Sequence, residues 1–160
     1  MNFITRKANK ADMPAVLDLI RELAAFEKGP EAVITTVELL EAEGFGEHPH
    51  FHCFVTEQDG KIEGMALVYY RFSTWKGRTL HLEDLIVKER SRGTGMGGAL
   101  FRKVIEFAEE QQVKRTEWVV LDWNQHAIDF YERCGAKILK DWYTVQMDEE
   151  GMKKFISRLA

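Results

Sequence analysis

The run RSRGTGMGGAL, residues 90–100, sets Gly93, Gly95, Gly97 and Gly98 at the head of a segment whose Leu100, Val104, Ile105 and Ala108 recur at helical spacing. Each glycine inside a helix costs about 1 kcal/mol relative to alanine. Four of them at one helix start therefore point to a use for bare backbone. A helix start offers unpaired N–H groups and the positive end of a dipole, which together attract anions. Phosphate is the anion such loops most often hold, and three arrangements compete, beside a packing role in which glycine lets helix and sheet approach closely. A nucleotide phosphate loop requires Gly-Lys-Ser/Thr after the glycines, and none follows. A dinucleotide loop is met formally, since Gly93, Gly95 and Gly98 fit G-x-G-x-x-G and Asp122 closes the next expected strand. Against it, KERSR separates Val87 from Gly93, where that fold runs its strand almost directly into the first glycine. The third arrangement is an acyl-CoA pyrophosphate loop of the form Arg/Gln-x-x-Gly-x-Gly/Ala, filled here by Arg92, Gly95 and Gly97.

Other candidate chemistry is weaker. His48, His50 and His52 alternate and resemble metal ligands on one strand face, but Pro49 interrupts a regular strand there; no metal is expected. Cys53 and Cys134 make no disulfide framework and read as small buried hydrophobes in a reducing, cytoplasmic setting. Among 160 residues, 45% are hydrophobic and 30% charged, which suits one folded domain over 1–160. A net charge of −4 argues against nucleic acid and is compatible with a cationic ligand. The longest apolar run, residues 65–70, is too short to cross a bilayer, so no membrane role is expected. The first ten residues lack the apolar core of a signal peptide.

The elements that must carry these residues follow from periodicity. NFITRKA alternates as an opening strand, and a helix follows with Asn9 as its cap and Val16, Leu19, Ile20, Leu23 and Ala24 on one stripe. TTVELLEAE is a shorter helix. Residues 50–72 form a hairpin about Asp59-Gly60, and TLHLEDLIV is a further strand. After the glycine loop and its helix come a strand at RTEWVVLD, a short helix at NQHAIDFYERCG and one or two closing strands at AKILKDWYTVQM. The tail reads as a last turn or two of helix. An α+β fold of a mixed sheet with flanking helices results.

Arg92, Gly95 and Gly97, taken with GFGEHP (44–49), STWKGR (73–78), LED (82–84), LDWN (121–124) and FYERCGA (130–136), resemble the GNAT superfamily of N-acetyltransferases. The resemblance is to its spermidine/spermine N-acetyltransferase family over nearly the whole length. STWKGR and LDWNQ look closest to the thialysine-acetylating branch. The resemblance implies a mostly antiparallel central sheet in which two parallel strands splay apart to admit acetyl-CoA. It implies that Leu85, Ile86 and Val87 pair with the pantetheine amides, and that Arg92, Gly93, Thr94, Gly95, Met96, Gly97 and Gly98 hold the pyrophosphate. Asn124 matches a cofactor-contacting position and also reads as a helix cap. Glu83 matches the base that relieves the amine of its proton, against a plain reading as a half-exposed strand residue. Tyr131 matches the acid that protonates the departing thiolate, against a plain reading as a core tyrosine. Strand alternation puts Glu83 and Asp84 on opposite faces.

Glu27 and Trp75 match positions near the amine, with Glu83 and Asp84 beside them. Ser73 and LKDW (139–142) replace acids of the polyamine-specific pattern, so a short thialysine-like amine is expected over spermidine. The resemblance further implies a homodimer. An acyl-CoA-binding sensor without turnover and a dinucleotide-dependent oxidoreductase remain the alternatives.

Overall fold

The computed structural model describes residues 2–158, and its contacts divide them into two compact units that meet in sequence at Val119 and Val120. In the first unit, β1 (Ile4–Lys7), β2 (His52–Gln58), β3 (Lys61–Ser73), β4 (Gly77–Val87) and β5 (Thr116–Glu117) form one sheet in chain order. The first four strands pair antiparallel, and β5 joins β4 in parallel. The helices are α1 (Met13–Phe26), α2 (Val37–Phe45) and α3 (Met96–Glu110).

Strand alternation sorts the helices to the two faces. Cys53 and Val55 of β2, with Met65 and Leu67 of β3 and Ile86 of β4, share a core with Met13, Val16, Leu17 and Leu19 of α1 and Leu40 of α2. The intervening residues His52 and Phe54 turn the other way, their rings 5.0 and 5.4 Å from Phe107 of α3. The β2–β3 hairpin turns at Asp59 and Gly60, both at positive φ, as a two-residue turn between twisted strands requires. The helix expected after Asn9 instead opens with a 3-10 turn, Lys10–Asp12. The Asn9 N–H donates to the Asp12 carboxylate at 2.7 Å, and Asp12 stands at the head of α1.

The strand expected at 115–122 is short: the parallel ladder pairs Leu80 with Thr116 and His81 with Glu117, and then stops. Beyond it β4 runs on to Val87, and no strand among the described residues pairs with 82–87 on that edge. The two parallel strands thus share only two residue pairs, at Leu80 and His81 of β4, before β4 continues without β5 beside it.

The second unit contains α4 (Gln125–Arg133) and α5 (Glu149–Ser157). Asn124 caps α4, its side-chain oxygen accepting from the Ala127 N–H at 3.3 Å. The closing strands expected at 136–147 are not formed among the described residues. A strand needs a ladder partner for its backbone groups, and here Leu139, Trp142, Tyr143 and Val145 stay exposed.

Candidate functional site

A β-bulge in the middle of β4 decides which side chains meet. Leu82 lies opposite Val68 and Asp84 lies opposite Leu67, so Glu83 is the extra residue. Asp84 therefore takes the face of Leu67, which packs against α1. Glu83 takes that face as well: it alternates with Leu82, and its Oε2 lies 3.5 Å from Nε2 of His81, two residues back and opposite Tyr69. The expectation that Glu83 and Asp84 point to opposite faces is corrected by this bulge, because alternation holds only while the pairing advances one residue for one.

The consequence is electrostatic. Burial, then the negative charges of Glu83 and Glu27, push the Asp84 carboxyl up to about 6. Glu27 ends α1, and partial burial raises its carboxyl above the usual range. Three carboxylates, Glu27, Glu83 and Asp84, thus share one field, and a cation placed among them would relieve it. Trp75 is elsewhere. It is 85% exposed at the tip of the β3–β4 hairpin, and β4 carries the chain about 20 Å, at 3.4 Å per residue, from Gly77 to Glu83.

Around Glu83 stands a network that the sequence reading missed. Arg71 Nη1 lies 3.4 Å from Nδ1 of His81 and 2.8 Å from Glu117, which also accepts from Arg115 Nε at 2.9 Å. The Tyr69 ring lies 5.1 Å from that of His81, and burial, then the charge of Glu83, raise the Tyr69 hydroxyl. A histidine and an arginine among strand residues were the available signals, but their meeting depends on the β3–β4 register.

The glycine loop leaves β4 through a 3-10 turn, Glu89–Ser91, and enters α3. Gly93 and Gly95 have φ of +75° and +91°, which L side chains resist. Gly97 and Gly98 are different: a Cβ on Gly97 would make only ordinary contact with Val87 at 3.8 Å, and one on Gly98 would meet nothing. Packing does not require glycine at either position. Arg92 donates from Nε to the Val87 carbonyl at 3.2 Å and lies 5.6 Å over the Phe26 ring.

A buried acid holds this loop to the sheet. Glu63, 5% exposed near the start of β3, accepts from Arg90 at 2.5 and 3.0 Å and from the Ser91 hydroxyl at 2.7 Å. The Glu63 carbonyl receives the Lys88 N–H at 2.8 Å, and Thr94 donates to the Ser91 carbonyl at 2.7 Å. The Arg90 bond holds the Glu63 carboxyl below the usual range. An acid inside an apolar strand run was a legible sign of a buried partner.

In the second unit Tyr131 is 8% exposed, and burial pushes its phenol up to about 12. Cys134 is exposed, whereas burial pushes the Cys53 thiol up to about 12 and leaves it inert. The three histidines do not assemble a metal site: His50 bonds to Glu43, His52 packs on Tyr70 and Phe107, and no cluster of three ligand side chains occurs among the described residues.

The model of the acetyltransferase (GNAT) family matches residues 15–136. The chain is 38% identical to a thialysine N-epsilon-acetyltransferase of Bos taurus, covering 96% of each. It is 32% identical to the human spermidine/spermine N(1)-acetyltransferase-like protein 1, covering 92% of this chain and 23% of that one. An integron cassette protein from the mobile metagenome of V. cholerae superposes with a TM-score of 0.79 at 21% identity, covering 98% of each chain.

Proposed function

This chain belongs to the GNAT acetyltransferase family, and on that premise we propose that it transfers an acetyl group from acetyl-CoA directly to a primary amine of a small cationic substrate. The amine we favour is thialysine or a similar short lysine-like amine. One observation carries the reading: on the edge facing away from β3, β4 has no strand partner at 82–87 among the described residues, and it leads into a helix start where packing does not require Gly97 or Gly98.

The residues present fit acetyl-CoA. The backbone of Leu85, Ile86 and Val87 offers a strand edge to the amide-bearing arm. The N–H groups at residues 93–98, at the positive end of a 15-residue helix, offer an anion cradle, with Arg92 adjacent. Thr94 and Met96 contribute backbone groups to that cradle, and Gly97 and Gly98 leave phosphate oxygens room to reach it. When bound, acetyl-CoA supplies the thioester that the amine attacks.

The chain's own residues then do three things. The substrate arrives as an ammonium, whose ordinary pKa is near 10.4, and must lose a proton before it attacks. Glu83, 51% exposed at its side chain, receives that proton directly or through water. Asp84 and Glu27 hold the cationic end of the substrate by charge, while Trp75, at the far end of β4, lies beyond the reach of so short an amine within one chain. A backbone N–H near Leu85 stabilises the developing acetyl oxyanion. Tyr131, kept neutral by its burial, gives its proton to the departing thiolate. Asn124 contributes to cofactor contact while capping α4.

The identity to thialysine acetyltransferases over nearly full length supports the choice of amine. The same reading makes 1–160 one acetyltransferase domain, acting in the cytoplasm without a metal, as a homodimer that sedimentation would detect. Thiol release from acetyl-CoA, followed with thialysine, lysine, spermidine and short diamines separately, tests the whole. Amine-dependent release with thialysine fastest is expected. Tight acetyl-CoA binding with no release on any amine would replace the enzyme reading with a sensor.

A further inference from the structure

We propose that His81 is a positioning residue for Glu83: its imidazole, held in one tautomer by Arg71, presents Nε2–H to the Glu83 carboxylate and keeps that carboxylate aimed at the amine. The inference rests on the reading of Glu83 as base.

The tautomer follows from donor counting. A guanidinium has only donors, so the imidazole nitrogen facing it must accept. Arg71 Nη1 faces Nδ1 at 3.4 Å, which leaves the hydrogen on Nε2. Nε2 lies 3.5 Å from Glu83 Oε2, and side chains of a ligand-free site commonly close such a gap when substrate binds. Arg71 is itself fixed by Glu117 at 2.8 Å, on the strand parallel to β4. The array therefore runs Glu117, Arg71, His81, Glu83 across three adjacent strands. The groups facing His81 are Glu83 on its own strand, Tyr69 and Arg71 on β3, and Glu117 on β5. His81 is 9% exposed, and burial first of all lowers its pKa, so the ring remains neutral at pH 7 and keeps the acceptor that Arg71 requires. A buried histidine with no task would be cheaper as a hydrophobe at this position; this one faces a polar partner at each nitrogen, at 3.4 and 3.5 Å.

The bulge gives the array its purpose. An extra residue in β4 re-aims Glu83 relative to the ladder, as bulges beside active sites do. It also leaves the carboxylate half-exposed, with the Tyr69 hydroxyl as its hydrogen-bond partner from β3. A second donor, from His81, holds it in the direction the proton must come from.

Three variants and one spectrum test this. His81→Gln keeps an N–H donor without a titrating ring, and should hold kcat/KM for the amine within about threefold of the parent. His81→Leu removes the donor, and should lower kcat about 10- to 100-fold while KM for acetyl-CoA stays unchanged. Its acid limb should move to higher pH, because a carboxylate that loses a donor is protonated more readily. Equal losses in the two variants would reduce His81 to a filler of space and overturn the proposal. So would parental activity and profile in His81→Leu. Glu83→Gln separates the two readings. If it retains rate and acid limb, the base reading fails and the proposal with it. If it is inactive while His81→Leu is normal, only the proposal fails. Nitrogen-15 spectra of the imidazole at pH 7 read the tautomer without turnover, and an Nδ1–H form would equally overturn the assignment.

Discussion

The charge of Glu27, at the end of α1, acts on the carboxyl of Asp84 in β4, and burial with the charges of Glu83 and Glu27 lifts Asp84 to about 6. A carboxyl whose folded value lies above its ordinary 3.8 binds more protons folded than unfolded over that interval. Its contribution to stability is complete below about pH 4 and is lost as pH rises through about 6. Asp84→Asn should abolish that fall. Two pKa steps correspond to roughly 3 kcal/mol, which bounds the difference between the two proteins' pH 4 to pH 7 stability changes. Urea unfolding at three pH values measures it. The same variant should raise KM for the amine, because a charge that welcomes the ammonium is gone.

Gly97 separates packing from ligand binding. Its added Cβ would touch only Val87, at an ordinary 3.8 Å, while the helix interior prefers alanine by about 1 kcal/mol. Gly97→Ala should therefore stabilise the protein by about 0.5–1 kcal/mol and weaken acetyl-CoA binding at least tenfold. Thermal unfolding and titration calorimetry give the two signs. Greater stability with unchanged affinity would remove Gly97 from the pyrophosphate cradle.

The contrast between Gly97 and Glu83 shows what was legible before the structure. The glycine loop, the Asp59-Gly60 turn and the α1 stripe are local patterns, and each lies where its spacing puts it. The bulge at Glu83 is a count of two residues against one on another strand, which no pattern within LHLEDL records. His81, Arg71 and Glu117 meet only through that ladder, from positions 81, 71 and 117. The runs at 118–122 and 136–147 have strand-like composition, but composition supplies no pairing partner, and the ladder stops at Glu117. Glu63 was legible as an oddity; Arg90 and Ser91 explain it only in three dimensions.

Glu63 predicts a split between binding and chemistry. Its carboxylate, 7% exposed, pins Arg90 and Ser91 and so sets where the glycine loop begins. Glu63→Gln keeps the shape but loses a charge-assisted pair with the largely exposed Arg90, and should lower stability. Because the bond holds the Glu63 carboxyl low, that stability is present above the ordinary carboxylate range and lost as pH falls below it. In the variant KM for acetyl-CoA should rise about tenfold with kcat within twofold. A fall in kcat at constant KM would place the effect on the reacting groups and not on the loop.

Tyr131 is the residue whose role burial makes most specific. A phenol pushed up to about 12 stays protonated throughout the range in which the enzyme can be assayed. It is therefore always present as the protonated phenol that the proposed donation to the leaving thiolate needs, while its raised pKa makes it a weaker acid than an ordinary phenol. Tyr131→Phe retains the ring, and with it the packing, while removing one proton. Turnover should fall by about 10²-fold, the lower end of what a general acid contributes. Acetyl-CoA affinity should stay within twofold, since the hydroxyl matters only once the thioester bond is breaking. The pH profile adds an independent check. No alkaline limb below about pH 10 can belong to Tyr131, so any limb seen there in the parent must persist in Tyr131→Phe. Its disappearance would show that the phenol titrates in the working range, which would overturn the burial-raised pKa while keeping Tyr131 as the acid.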